Sequence, residues 1–182
     1  RQRQMCIRDS LESVNSKIKN IYLGQAIGDA LGLATEFMTK DQIAQLYPIG
    51  IHSYDDIHQD AHRSRWLKGS WTDDTDQFLC IDRSIKKNNG IDIYDIAKEF
   101  KAWFQDNPMG IGKTTYEILK LPEYEERPKE CAEFIWKMKG GDLAPNGGLM
   151  RNAAVAMFNH QNEDEVIKNC KTVCRLTHSD PR

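Results

Sequence analysis

Apolar side chains in this chain recur every three or four positions, and no stretch alternates apolar with polar between hairpin turns. That pattern leaves helices as the regular element it can build. Ile18, Tyr22, Ala26, Ala30 and Leu33 set the first apolar seam, with Asn15 or Ser16 placed to cap it. Asp92 stands where it caps a helix carrying Ile96, Phe100 and Phe104. Pro128 suits the first turn of a helix with Ala132, Ile135 and Met138, and Val166, Cys170 and Val173 mark another. The chain is therefore read as all-α, with 1–13 a loose tail and 14–182 a helical region without internal repeats. Three irregular pieces remain, Tyr47 to Ser70, Asp106 to Lys113 and Gly140 to Gly148. Loops that long inside a helical domain usually carry function.

Composition narrows the classes of function. The 182 residues can enclose a core, and 25 basic against 27 acidic side chains leave a net charge of −2. A near-neutral chain with interspersed signs lacks the field a phosphate backbone demands, so no nucleic-acid partner is expected. No apolar run approaches the roughly 18 residues of a bilayer span and no signal-peptide core is visible, so no membrane partner and a cytoplasmic location are expected. Five scattered cysteines read as reduced thiols. Oligomeric state is not legible.

Four segments break local rules. Gly24, Gly28 and Gly32 form a bare stripe on the first helix, at about 1 kcal/mol each against alanine. Something is expected to approach it closely, either another helix or a ligand, and Asp29 and Glu36 lie beside it. Thr72, Asp73, Asp74 and Asp76 open a new helix. An ordinary capped first turn would explain part of this run, and a hard cation such as magnesium between the carboxylates is the other reading. Asn146, Gly147, Gly148, Leu149, Met150 and Arg151 lead into a short apolar helix, either as a plain turn or as an anion site of outward N–H groups reinforced by Arg151. The fourth is Thr177, His178, Ser179, Asp180, Pro181. Two further patterns are set aside. Gly112-Lys113-Thr114 lacks the first glycine of a phosphate loop, and His58 and His62 lack the glutamate of a zinc-protease helix and read as surface histidines.

In order and content, GQAIGDALGLATEF (24–37), GSWTDDTDQFL (69–79), APNGGLMR (144–151) and LTHSDP (176–181) resemble the ADP-ribosylglycohydrolases over about Ile18 to Pro181. The resemblance implies an orthogonal multi-helix bundle that hydrolyses the bond joining ADP-ribose to a modified protein side chain or small acceptor, with two magnesium ions. Thr72, Asp73 and Asp74 would be metal ligands, the two aspartates serving catalysis through the metal. Glu36 would serve acid–base chemistry at the scissile bond, and Asp29 would support the metal shell indirectly. Asn146, Gly147, Gly148, Leu149, Met150 and Arg151 would cradle the diphosphate, with His178 close to the ADP-ribose. The family also carries a later Asp-x-Asp-Thr metal run that this sequence does not contain. The chain is accordingly read as incomplete at its C-terminus, with weak magnesium binding and little hydrolysis alone. An inactive ADP-ribose-binding module is the alternative.

Overall fold

The helical period of the sequence is realised in discrete helices among the described residues. A computed structural model describes residues 2–182, with side chains from Asn15 onward. Among the described residues it holds eight α-helices, four 3-10 turns and no strand. The first helix, α1 (Gln2–Gly32), does not start at Asn15 or Ser16 as expected. No glycine or proline stands between Gln2 and Leu23 to stop it, so both polar residues lie inside the helix instead of capping it. The tail assigned to 1–13 lies outside the residues whose side chains are described. Among the described residues no helix is long and apolar enough to cross a membrane.

The chain divides into two compact units, Arg1–Trp71 and Thr72–Arg182. The boundary falls in a stretch with none of the proline or serine enrichment that marks a linker.

In the first unit, burial along α1 starts late. Ala30 and Leu33 are buried, whereas Ile18, Ile21, Leu23 and Ile27 are exposed. Of the two neighbours expected at the glycine stripe, a crossing helix is not found among the described residues, since a Cβ at Gly24, Gly28 or Gly32 meets no protein atom within 4 Å. Helix α2 (Lys40–Leu46) is opened by a capping box. Gln42 N–H donates to Thr39 Oγ1 at 3.2 Å, and Thr39 N–H donates to Gln42 Oε1 at 2.8 Å. Ala34, Tyr47 and Ile57 form a small core joined by Met38, Ile43 and Ile51. Burial of a side chain such as Ile57 contributes about 1.5–3 kcal/mol. The long 47–70 segment is organised by two 3-10 turns, Tyr54–Asp56 and Arg63–Arg65. It is pinned where Tyr47 Oη donates to Ala34 O and accepts from His58 N–H.

The second unit holds α3 (Asp73–Asn88), α4 (Ile93–Gln105), α5 (Lys113–Leu119), α6 (Pro128–Met138), α7 (Ala153–Met157) and α8 (Glu163–Cys174). Asp92 caps α4 as the sequence predicts, accepting from Tyr94 and Asp95 N–H at 3.0 Å each. Pro128 opens α6. α3 packs on α4 and α7, α7 on α8, and α5 on α4 and α6. Phe78, Ile81, Ile96, Phe100, Leu119, Val155, Val173 and Leu176 form its core, each 1 % exposed or less. The segment after α8 is tied down through Asp180, whose Oδ2 accepts from Trp136 Nε1–H at 3.1 Å and whose Oδ1 accepts from Arg182 Nε–H at 2.8 Å. Those Arg182 bonds hold the Asp180 carboxyl far below the usual carboxylate range.

Candidate functional site

In the second unit the acidic run opens α3. Thr72 occupies the N-cap position, its carbonyl accepting from Asp76 N–H at 3.2 Å, and Asp73, Asp74 and Asp76 fill the first turn. The helix dipole favours negative charge there. Asp76 serves packing as well, because its Oδ2 takes the Trp103 Nε1–H at 3.0 Å. Asp73 is buried, with Oδ2 3.3 Å from Gly112 N–H and 3.4 Å from Gln77 Nε2. Both contacts are at the long end of hydrogen bonding.

From Asp73 a buried chain of polar side chains runs to the other motifs of this unit. Gln77, fully buried, turns Oε1 to Arg151 Nη1. Arg151 has no exposed surface; its Nη2 donates to Thr177 Oγ1 at 2.5 Å and its guanidinium stacks 4.5 Å from the Phe100 ring centre. Thr177 Oγ1 lies 2.7 Å from His178 Nδ1. An arginine only donates, so Thr177 accepts from Arg151; its hydroxyl has a second lone pair and one hydrogen, and meets Nδ1 as donor or acceptor according to the His178 tautomer. His178 Nε2 faces Gly147, where a Cβ would come within 2.9 Å of Nε2 and 2.7 Å of Cε1. Burial, and secondarily the Arg151 charge, push His178 down to about 3, so the ring is neutral at ordinary pH.

Of the two readings of the glycine segment, the plain turn is the one its backbone adopts. Asn146–Gly148 is a 3-10 turn, and Leu149 and Met150 N–H both donate to Asn146 O, at 2.7 and 3.1 Å. Cys174 Sγ donates to Gly148 O at 3.2 Å. Only five residues of α7 follow, too few to build a strong dipole. Arg151 points into the core rather than reinforcing a surface site. Asn146 and Leu149 are exposed, Met150 is half-buried, and Gly147 and Gly148 are buried.

Glu36 belongs to the first unit, just past α1, and Phe37 behind it adopts a left-handed φ of 60°. A non-glycine residue there costs on the order of 1–2 kcal/mol. Arg63, 2 % exposed, holds the bend: Nε donates to Leu33 O and Ala34 O at 3.0 and 2.9 Å, Nη2 donates to Glu36 O, and Nη1 pairs with Asp60. Carbonyls of the bend that follows the helix are thus held by a cation, with Tyr47 Oη sharing Ala34 O. The Glu36 carboxylate, 43 % exposed, meets His62 Nε2 at 2.7 Å. The reading of His62 as a plain surface histidine is corrected by that contact. Glu36, Asp60, His62 and Arg63 border a cavity of about 410 Å³, lined further by Phe37, Gln42 and His58.

A family model described as ADP-ribosylglycohydrolase matches residues 10–182. The chain belongs to the ADP-ribosylglycohydrolase family. It is 33 % identical to the ADP-ribosyl-[dinitrogen reductase] glycohydrolase of Rhodospirillum rubrum, over 93 % of this chain and 53 % of that protein. It is 25 % identical to the ADP-ribosylarginine hydrolase Tri1 of Serratia proteamaculans, over 97 % and 45 %. A putative ADP-ribosyl glycohydrolase, L543, of Acanthamoeba polyphaga mimivirus is 28 % identical over 92 % and 51 %. The chain thus spans about half the length of the curated relatives it matches.

For an ADP-ribosylglycohydrolase the metal question turns on donors. Thr72, Asp73 and Asp74 present hard oxygens of the kind magnesium selects. Among the described residues, however, no group of three or more His, Cys, Asp or Glu side chains is arranged to hold a metal ion. Three of the four family segments, represented by Asp73, by Gly147 with Arg151, and by His178, are brought together in one unit; Glu36 stands in the other with its own supports. Sequence reasoning missed Gln77, Thr177 and Cys174, which link the second-unit motifs, and Asp60, His62 and Arg63, which hold Glu36. Asp29 is half-buried on α1.

Proposed function

We propose that this protein is a magnesium-dependent hydrolase of the bond between ADP-ribose and a modified protein side chain or small acceptor. The observation that carries the reading is the buried chain Asp73–Gln77–Arg151–Thr177–His178, because it couples the acidic run, the glycine turn and the His178 segment into one rigid unit. A helical bundle kept only for protein contacts has no need of a charged guanidinium desolvated at its centre.

The roles follow from the chemistry. The exposed residues of the turn, Asn146 and Leu149, would border the diphosphate rather than offer it a row of N–H groups, with the neutral His178 ring behind them beside Gly147. Arg151 acts one step back, holding Thr177 and hence the His178 ring. Thr72, Asp73 and Asp74 would form one side of the magnesium site; when bound, the ion supplies charge stabilisation and orientation for ribose hydroxyls and water. Glu36 exchanges a proton with the water or the departing acceptor as the sugar carbon gains oxocarbenium character.

The test is calorimetry of the 182-residue chain with ADP-ribose, with and without magnesium, followed by label release from an ADP-ribosylated protein. Binding strengthened by magnesium, lost in Asp73→Ala, and accompanied by label release supports the reading. Magnesium-dependent binding with little release is the outcome expected of a chain that spans about half its relatives' length, whereas binding indifferent to magnesium reduces the protein to a binding module. Absence of both ends the proposal.

A further inference from the structure

The first unit carries an assembly around Glu36 that the roles above do not use. On one side of the His62 ring, Nε2 lies 2.7 Å from Glu36 Oε2; on the other, Nδ1 lies 2.5 Å from Arg65 Nη2. A guanidinium has no acceptor, so Nδ1 supplies the lone pair and the neutral ring carries its hydrogen on Nε2. Nε2–H therefore donates to Glu36. The ring has little room to turn: Phe37 and Trp66 meet it edge-on at 5.3 Å each, and Arg65 lies 4.5 Å over the Trp66 ring while its Nε donates to His62 O at 3.0 Å. The loop bearing His62 is fixed to the Glu36 bend, because Asp60 Oδ1 accepts from His62 and Arg63 N–H at 3.0 and 2.8 Å while Arg63 holds the Glu36 carbonyl. Glu36 is thus gripped at its main chain by one residue and at one carboxylate oxygen by another.

We propose that His62 is a positioning residue for Glu36, its tautomer set jointly by Arg65 and the Glu36 carboxylate, so that Oε2 is occupied as an acceptor and proton exchange with substrate or water is confined to Oε1. The catalytic half of this statement rests on the acid–base role proposed for Glu36; the tautomer half does not. Orientation of a reacting carboxylate matters at this scale, since a displacement of about 1 Å costs up to about 100-fold in rate.

Two measurements test it. Long-range proton–nitrogen NMR of the histidine-labelled chain should show His62 with its hydrogen on Nε2, and Arg65→Ala combined with Glu36→Ala should convert it to a mixture of both forms. A hydrogen on Nδ1 in the unaltered protein, or a spectrum indifferent to the double substitution, overturns the proposal. In the label-release assay His62→Phe should lower kcat by about 10- to 100-fold with KM little changed. His62→Gln, whose amide offers a donor in the same direction, should restore most of it. Equal losses in the two variants, or none in either, also overturn it. Should this chain release no label, the tautomer measurement alone decides the arrangement around His62.

Discussion

Each unit is organised around one buried arginine, and the two are used in opposite ways. Arg63 spends its donors mainly on main-chain carbonyls, those of Leu33, Ala34 and Glu36. Arg151 spends its own on side chains, Gln77 and Thr177. A carbonyl clamp constrains the path of the backbone and is indifferent to which residues supply the carbonyls. A side-chain hub demands particular partners at particular positions. The first shapes a bend that presents Glu36; the second fixes the identities around His178.

The sharpest way to break this comparison is to remove the hub. Arg151→Ala leaves Gln77 and Thr177 without their donor and opens a cavity beside Phe100, so a loss of about 3–5 kcal/mol is expected in chemical denaturation. Arg151→Met should recover part of the packing while still releasing His178. If Arg151→Ala costs less than about 1 kcal/mol, the hub carries little of the second unit.

Arg63→Ala comes next, at about 2–3 kcal/mol, because three carbonyls lose donors but water can reach part of the bend. Hydrogen exchange should quicken over 33–37, where Phe37 must relax from its left-handed conformation. Equal cost and equal loss of protection for the two arginine variants would erase the distinction drawn between them.

That distinction also explains what could be read from the sequence. Helices α4 and α6 are legible because Asp92 and Pro128 act within their own first turns. The motifs around Arg151 are legible because a hub of specific side chains leaves a recurring combination of residue types, which the resemblance to the family exposes. Arg63 leaves no such trace, since its partners are carbonyls about 30 positions back. His62 meets Glu36 across 26 positions and carries no neighbouring motif. The start of α1 was illegible for a different reason: polar Asn15 and Ser16 resemble a cap in type, yet nothing before them interrupts a helix. The glycine stripe suggested a helix or a ligand as its neighbour, and among the described residues no helix supplies that contact, so its helical cost is not offset by protein packing there.

A smaller perturbation sharpens the second unit alone. Gly147 has an ordinary φ, so Gly147→Ala is unstrained at the backbone, and its cost comes from the 2.7 Å approach to His178 Cε1. A loss of about 2 kcal/mol is expected, as for other overpacked sites. Displacement of the His178 ring should weaken ADP-ribose binding more than Leu149→Ala does, because Leu149 is exposed on the same turn. If Leu149→Ala weakens binding as much, the ring's position is not what the turn protects.

The smallest effect is the most specific, because it reads a single proton. His178 is pushed down to about 3 in the folded protein, from an ordinary value of 6.5, by burial and by Arg151. The folded state therefore keeps the ring neutral while the unfolded chain takes up a proton below pH 6.5. The stability conferred by this group is complete above 6.5 and is lost as pH falls from there toward 3. At pH 5.5 the loss amounts to about 1.4 kcal/mol, and His178→Gln should not show it. Acidic groups such as Asp180 add their own acid dependence, but they are common to both proteins and cancel in the difference. Unfolding curves at pH 7.5 and 5.5 should thus converge for the two proteins as the pH drops. Parallel curves would mean that the ring takes up its proton in the folded state as readily as in the unfolded chain, and the buried placement of His178 beside Arg151 would have to be abandoned.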